Sequence, residues 1–84
     1  MTRMWRSGQL IQVETDSDGQ PLRFLWRGHR HPVEHITNHW RADLGWWRLR
    51  VWREHFKLIT ETGLLVVIYH DLISGRWYLQ RLYD

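Results

Sequence analysis

Eighty-four residues make room for one domain, and a chain this short buries only about 60–65% of the surface it exposes when unfolded, so its core is thin. The absence of cysteine excludes disulfides and thiolate metal sites as staples, while seven Trp, three Tyr and two Phe, burying on the order of 150–250 Å² each, offer an alternative filling. The formal charge of +3 is uneven, because residues 23–53 hold seven arginines against the two acids Glu34 and Asp43.

No stretch reaches the roughly 18 apolar residues of a membrane helix, and the longest apolar run, LLVVIY (64–69), is the size of a strand. The opening MTRMWRSG is basic without an apolar segment behind it, so it does not read as a secretion signal. These features lead us to expect a cytoplasmic protein without a membrane partner. Residues 1–8 read as a loose N-terminal segment, and residues 9–84 as a single β domain.

Turn signals recur at short intervals: DSDG (16–19), RGHR (27–30), DLG (43–45), ETG (61–63) and SG (74–75). The segments between them are rich in β-branched and aromatic residues, the rhythm of an antiparallel meander. QLIQVET (9–15) leads through Asp18-Gly19, a pair suited to tight hairpins, into PLRFLW. There Leu22, Phe24 and Trp26 alternate with Arg23, Leu25 and Arg27, the period of a half-buried strand. Pro21 falls at the strand start, where a missing N–H does least harm.

NHWRADL (38–44), headed by Asn38, is the segment best suited to one helical turn. GWWRLRVWR (45–53) follows. Read as a strand it points Trp47, Leu49 and Val51 to one side and Trp46, Arg48, Arg50 and Trp52 to the other; a helical stripe through Leu44, Trp47, Val51 and Leu58 competes with that reading. The alternation of EHFKLIT (54–60) favours strand. A single strand over 46–60 spans about 50 Å at roughly 3.3 Å per residue, too long for a domain of this size, so a bend or bulge is expected near Arg53–His55. LLVVIYHDL (64–72) is apolar on both faces and reads as the central strand, and RWYLQRLYD closes the chain.

The predicted fold is therefore all-β: five or six antiparallel strands forming a small open barrel or strongly bent sheet, with at most one helical turn. Its expected core is Phe24, Trp26, Val33, Ile36, Trp47, Leu49, Val51, Phe56, Leu58, Val66, Ile68, Trp77 and Leu79.

One spacing is familiar. W-R-G (26–28), then Val33 and Ile36, the pair Trp46-Trp47, the segment at 55–58 and YHDLISGRWYLQRLYD resemble a small uncharacterised bacterial β-domain family. That family occurs alone and as the C-terminal tail of the polymerase-like subunit of the bacterial mutagenesis (translesion synthesis) complex. The likeness runs from about residue 24 to residue 84, and His55-Phe56 stands where the family usually shows two aromatic residues. The resemblance implies a setting near DNA repair and assigns no residue a role.

His29, His31, His35 and His39 share one face of an ideal strand, and zinc takes imidazole readily. One extended strand, however, spreads its side chains along a line and cannot close a tetrahedral site. The serines lie in turns or the loose end, and no nucleophile–base or paired-carboxylate spacing occurs, so no catalytic residues, cofactor or small-molecule substrate are expected. The face carrying Trp46, Arg48, Arg50 and Trp52, extended by Arg27, His29 and Arg30, is the candidate binding surface. Single-stranded nucleic acid stacks on such aromatic-cationic surfaces, so the expected function is a non-enzymatic accessory module that binds nucleic acid, single-stranded by preference, through this face. The alternative is a protein–protein interaction module on the same Trp/Arg surface, since these residue types are enriched at hot spots.

Overall fold

The computed structural model describes residues 2–46 and 49–83, without the side chains at positions 6, 7, 46 and 49. Six strands follow in chain order: β1 (Arg3–Thr15), β2 (Pro21–Trp26), β3 (His29–Trp46), β4 (Leu49–Thr60), β5 (Leu65–Asp71) and β6 (Trp77–Tyr83). Each pairs antiparallel with the next, and β6 returns to pair with β1, so the bent sheet closes into a ring. The ring is irregular, because β2 has six residues and β3 has eighteen. No helix long and apolar enough to cross a membrane occurs among the described residues.

The turns follow the local chemistry. Asp16 accepts hydrogen bonds at one carboxylate oxygen from the N–H groups of Asp18 and Gln20, at 2.8 and 2.9 Å. Arg27 and Gly28 both have positive φ, 51° and 77°, which matches the right-handed twist of the β2–β3 hairpin. Asp71 holds the last turn by accepting from Ile73 N–H at 2.9 Å.

Inside the ring, Ile11, Phe24, Phe56, Leu58, Val66, Ile68, Trp77, Leu79 and Leu82 form one buried cluster. Trp5, Val13, Trp26, Val33 and Ile36 pack against it. Trp5 meets Trp26 edge-on at 6.2 Å, and Trp26 donates its indole N–H to Gln9 Oε1 at 3.2 Å, so the polar end of the ring is satisfied.

Several expectations are corrected. Residues 38–44 are strand, not a helical turn: an isolated turn of that length gains too few bonds to persist, whereas here every residue finds a partner on β4. DLG (43–45) is also inside β3, with Gly45 opposite Arg50, and β3 continues to Trp46, which pairs with Leu49. The segment 45–53 is thus shared by two strands, and its two intervening residues, Trp47 and Arg48, lie outside the described residues. No bulge bends β4 near Arg53–His55; the register shifts of this hairpin lie between Val33 and His35 and between Ile36 and Asn38 on β3. Leu22 is exposed and Pro21 buried, because Thr15 opposes Pro21 while Glu14 opposes Arg23, leaving Leu22 as the extra residue of a bulge. Val51 is half-buried rather than core, and the side chains of Trp47 and Leu49 lie outside the described set.

Residues 3–8 of the segment read as loose belong to β1, where Arg3 opposes Leu82 and Met4 opposes Arg81. Gly8 explains how β1 crosses the sheet here. It has φ of +82°, and a Cβ on it would meet Tyr78 Cβ at 2.8 Å and Tyr69 Cε2 at 3.1 Å. Only glycine lets the chain pass this close to the ring of Tyr69 and the Cβ of Tyr78. Gly8→Ala is expected to cost about 2–3 kcal/mol in urea unfolding, while Gly45→Ala, with open space at its Cβ, stays within about 0.5 kcal/mol.

Candidate interaction surface

The unequal strand lengths create the most unusual surface. β2 covers β3 only from His29 to Pro32, and β5 covers β4 only from Arg53 to Ile59. Beyond those limits β3 and β4 continue together, through Asp43–Trp52, Leu44–Val51 and Gly45–Arg50, as a two-stranded ribbon. At about 3.3 Å per residue the twelve residues of β4 span roughly 40 Å, which matches the 41 Å long axis of the molecule. β3 approaches no described element except β2 and β4, so its other edge is open from about Val33 onward.

Period two gives the ribbon two unlike faces. One carries His39, Arg41, Asp43, Arg50, Trp52 and Glu54. Arg41 binds Glu54 at 2.9 Å, His39 Nε2 lies 3.2 Å from the same carboxylate, and Arg50 binds Asp43 at 3.3 Å. Burial pushes Glu54 up, yet the hydrogen bond from Arg41 and the field of His39 outweigh it and hold the carboxyl below its ordinary value. The opposite face carries Trp40, Ala42, Leu44 and Val51, with Arg53 opposite Ala42. Leu44 is 67% exposed and Trp40 43%. Among the described residues, His55 stacks on one side of Trp40, and both side chains keep these large exposed areas.

Closer to the ring, that second face continues as a row of rings across four strands. Trp40 stacks on His55 at 5.1 Å, His55 meets Tyr69 at 5.3 Å, and Tyr69 stacks on Tyr78 at 5.0 Å. The register requires this, since Trp40 opposes His55, His55 opposes Tyr69 and Tyr69 opposes Tyr78. Tyr69 and His55 are buried although they lie outside the ring, and this outer row is why β5 is apolar on both faces. Arg53 lies over Tyr69 at 4.5 Å, and Lys57 and Arg81 lie over Tyr83 at 5.0 and 5.6 Å. None of these three cations is ion-paired among the described residues.

The candidate residues read from the sequence fall into separate places. Arg50 and Trp52 adjoin, with the guanidinium 4.9 Å from the ring centroid, but Arg50 is also paired with Asp43. Arg48 and the side chain of Trp46 lie outside the described residues. Arg27, His29 and Arg30 sit at the opposite end of β3, where Arg27 covers Trp26 at 4.6 Å, so they do not extend the Arg50–Trp52 surface. The bulges on β3 also separate the histidines: His31 is buried and bonded to Thr62 at 2.8 Å, His35 is exposed, and His39 stacks on Phe56. No group of three potential metal ligands gathers among the described residues.

Sequence reasoning missed Trp40, Tyr69, Tyr78, Arg53, Lys57 and Arg81 as members of one surface. The outward parity of each strand was readable, but the register joining rings on four strands was not. His55 carried the best signal, as a histidine where the resembling family shows an aromatic ring.

A family model described as a domain of unknown function, DUF6504, matches residues 8–84, and the chain belongs to that family. No curated protein and no solved structure matches the chain.

His55 makes the outer row sensitive to pH. Its Nδ1 is buried without a hydrogen-bond partner, and burial together with the field of Arg53 lowers its pKa below the ordinary 6.5. His31 is lowered too, by burial and by His29, against a backbone hydrogen bond with Trp26 that raises it. The unfolded chain therefore takes up protons first as pH falls, so stability declines from about pH 7 through 6.5 and levels off below the depressed folded values. His55→Phe keeps a ring in the row and removes the unpartnered nitrogen. It is expected to raise stability at pH 7.5 by about 1 kcal/mol and to shallow, without abolishing, the decline to pH 5.5 in urea titrations.

Proposed function

We propose that this DUF6504 domain is a non-enzymatic protein-interaction module that docks through the β3–β4 ribbon. The observation that carries this reading is the apolar face of the ribbon: Leu44 and Trp40, 67% and 43% exposed, flank Ala42 beside an open strand edge. Exposed apolar side chains gathered beside unpaired backbone groups favour a polypeptide partner, which supplies both an apolar surface and hydrogen bonds. The resemblance to a tail of the polymerase-like mutagenesis subunit agrees with a docking role. A setting in DNA repair and a cytoplasmic location belong to the same proposal.

Nucleic-acid binding is the second reading, and it draws on Arg53, Lys57 and Arg81, none of which forms an ion pair among the described residues, although Arg53 opposes Asp71 and acts on it through its field. Base stacking needs free ring faces, however, and those of His55 and Tyr69 are taken up by neighbouring rings, while Arg50 covers Trp52. That is why the protein partner ranks first.

A photo-crosslinking amino acid at Leu44 is expected to give discrete adducts with another polypeptide when producing cells are irradiated. The same group at Leu22, 44% exposed on β2, is expected to give none. Adducts from both positions or from neither overturn the reading. Single-stranded DNA binding that weakens between about 50 and 200 mM salt, and is lost in Arg53→Ala/Lys57→Ala/Arg81→Ala, would move the function to that outer face.

A further inference from the structure

We infer that the partner of the ribbon is a second copy of this chain, joined to it by antiparallel pairing of the two open β3 edges about Ala42. The inference rests on the interaction reading above and adds the occupant and its register.

Two copies of one strand pair antiparallel around a two-fold axis normal to the sheet. Such an axis keeps each face of the ribbon on its own side, so with regular pairing the centre falls on a residue. The β3–β4 register is regular from Asn38 to Trp46, which leaves few centres to compare. Centring on Arg41 or on Asp43 sets like charges against each other. Centring on Ala42 sets Arg41 opposite Asp43 of the second copy, twice, and Trp40 opposite Leu44, twice. Trp40 and Leu44, the two large exposed apolar side chains among the described residues of this edge, thus cover each other, and the two charges meet their opposites.

The neighbouring strand extends the match. Arg41 already holds Glu54, and Asp43 already holds Arg50. Joining Arg41 to Asp43 across the axis links these pairs into two continuous chains of alternating charge, Glu54–Arg41–Asp43–Arg50, each crossing from one copy to the other. The smallest side chain of the set, Ala42, lies on the axis, where a residue meets itself. The edge also lacks the usual protections over 38–46: it has no proline, no bulge and no lysine. Its charges attract rather than repel a copy of itself.

The residue on the axis provides the test. Purified wild type is expected to move from monomer to dimer by sedimentation velocity as concentration rises to about 200 µM. Ala42→Glu and Ala42→Lys, each checked for an unchanged melting transition, are each expected to weaken association at least about tenfold alone. Mixed together they are expected to recover it as a heterodimer. Because the chain has no cysteine, Ala42→Cys adds a second readout: mild oxidation by copper–phenanthroline closes a disulfide across the axis, whereas Thr62→Cys, exposed far from it, does not.

A wild type that stays monomeric at the highest concentration overturns the self-pairing. So does a mixture of the two charged variants that fails to associate, or equal oxidation of both cysteine variants. If the wild type is monomeric while Leu44 still crosslinks to a different polypeptide, self-pairing fails and the interaction reading stands. If Leu44 gives no adducts as well, both fail.

Discussion

The mismatch between a six-residue β2 and an eighteen-residue β3 is the constraint on which the rest of this molecule depends. A ring of strands can use only as much of β3 as its neighbours cover. The surplus must either fold back or project, and in this chain it projects together with the surplus of β4. The ribbon, its two unlike faces and its open edge all follow from that inequality. Register shifts between Val33 and His35 and between Ile36 and Asn38 lie where β3 leaves β2 and continues along β4.

Aromatic rings do the work that disulfides do in many small domains. Phe24, Phe56 and Trp77 fill the ring with aliphatic neighbours from β5 and β6, and Trp5 and Trp26 close one end. A second, external layer of rings from Trp40 to Tyr78 covers β5 from outside. This is how a thin domain buries Val67 and Tyr69 without a second sheet or a helix. The same layer fixes the ribbon to the ring, because Trp40 belongs to both. Within it, the ring faces of His55 and Tyr69 pack against neighbouring rings, while Trp40 stays 43% exposed.

Much of this was legible. Asp16 and Gly28 occupy turn positions their chemistry dictates, and Phe24, Phe56, Leu58, Val66, Ile68, Trp77 and Leu79 are core residues as their alternation indicates. The errors cluster in residues 38–53. There Asn38 resembles a helix cap and Gly45 a turn, and both local signals yield to a ladder that pairs every residue from Asn38 to Trp46. Leu22 shows the same effect on a smaller scale, since a single bulge exchanges its place with Pro21. As for the candidate site, Arg50 and Trp52 were identified as neighbours, but the acid that neutralises Arg50 was not, because Asp43 reaches it only across the hairpin.

By itself the sequence determined the class of fold, most of the turns and the inward face of most strands, because these depend on contacts within a few residues: side-chain period, turn chemistry and hydrophobic alternation. The tertiary structure alone decided which strand end outruns its neighbours, which rings meet across strands and which edge is left open. Those properties depend on register between segments distant in the chain. A shift of one residue between β3 and β4 would turn Trp40 to the face opposite His55 and Tyr69 and leave a different surface to solvent.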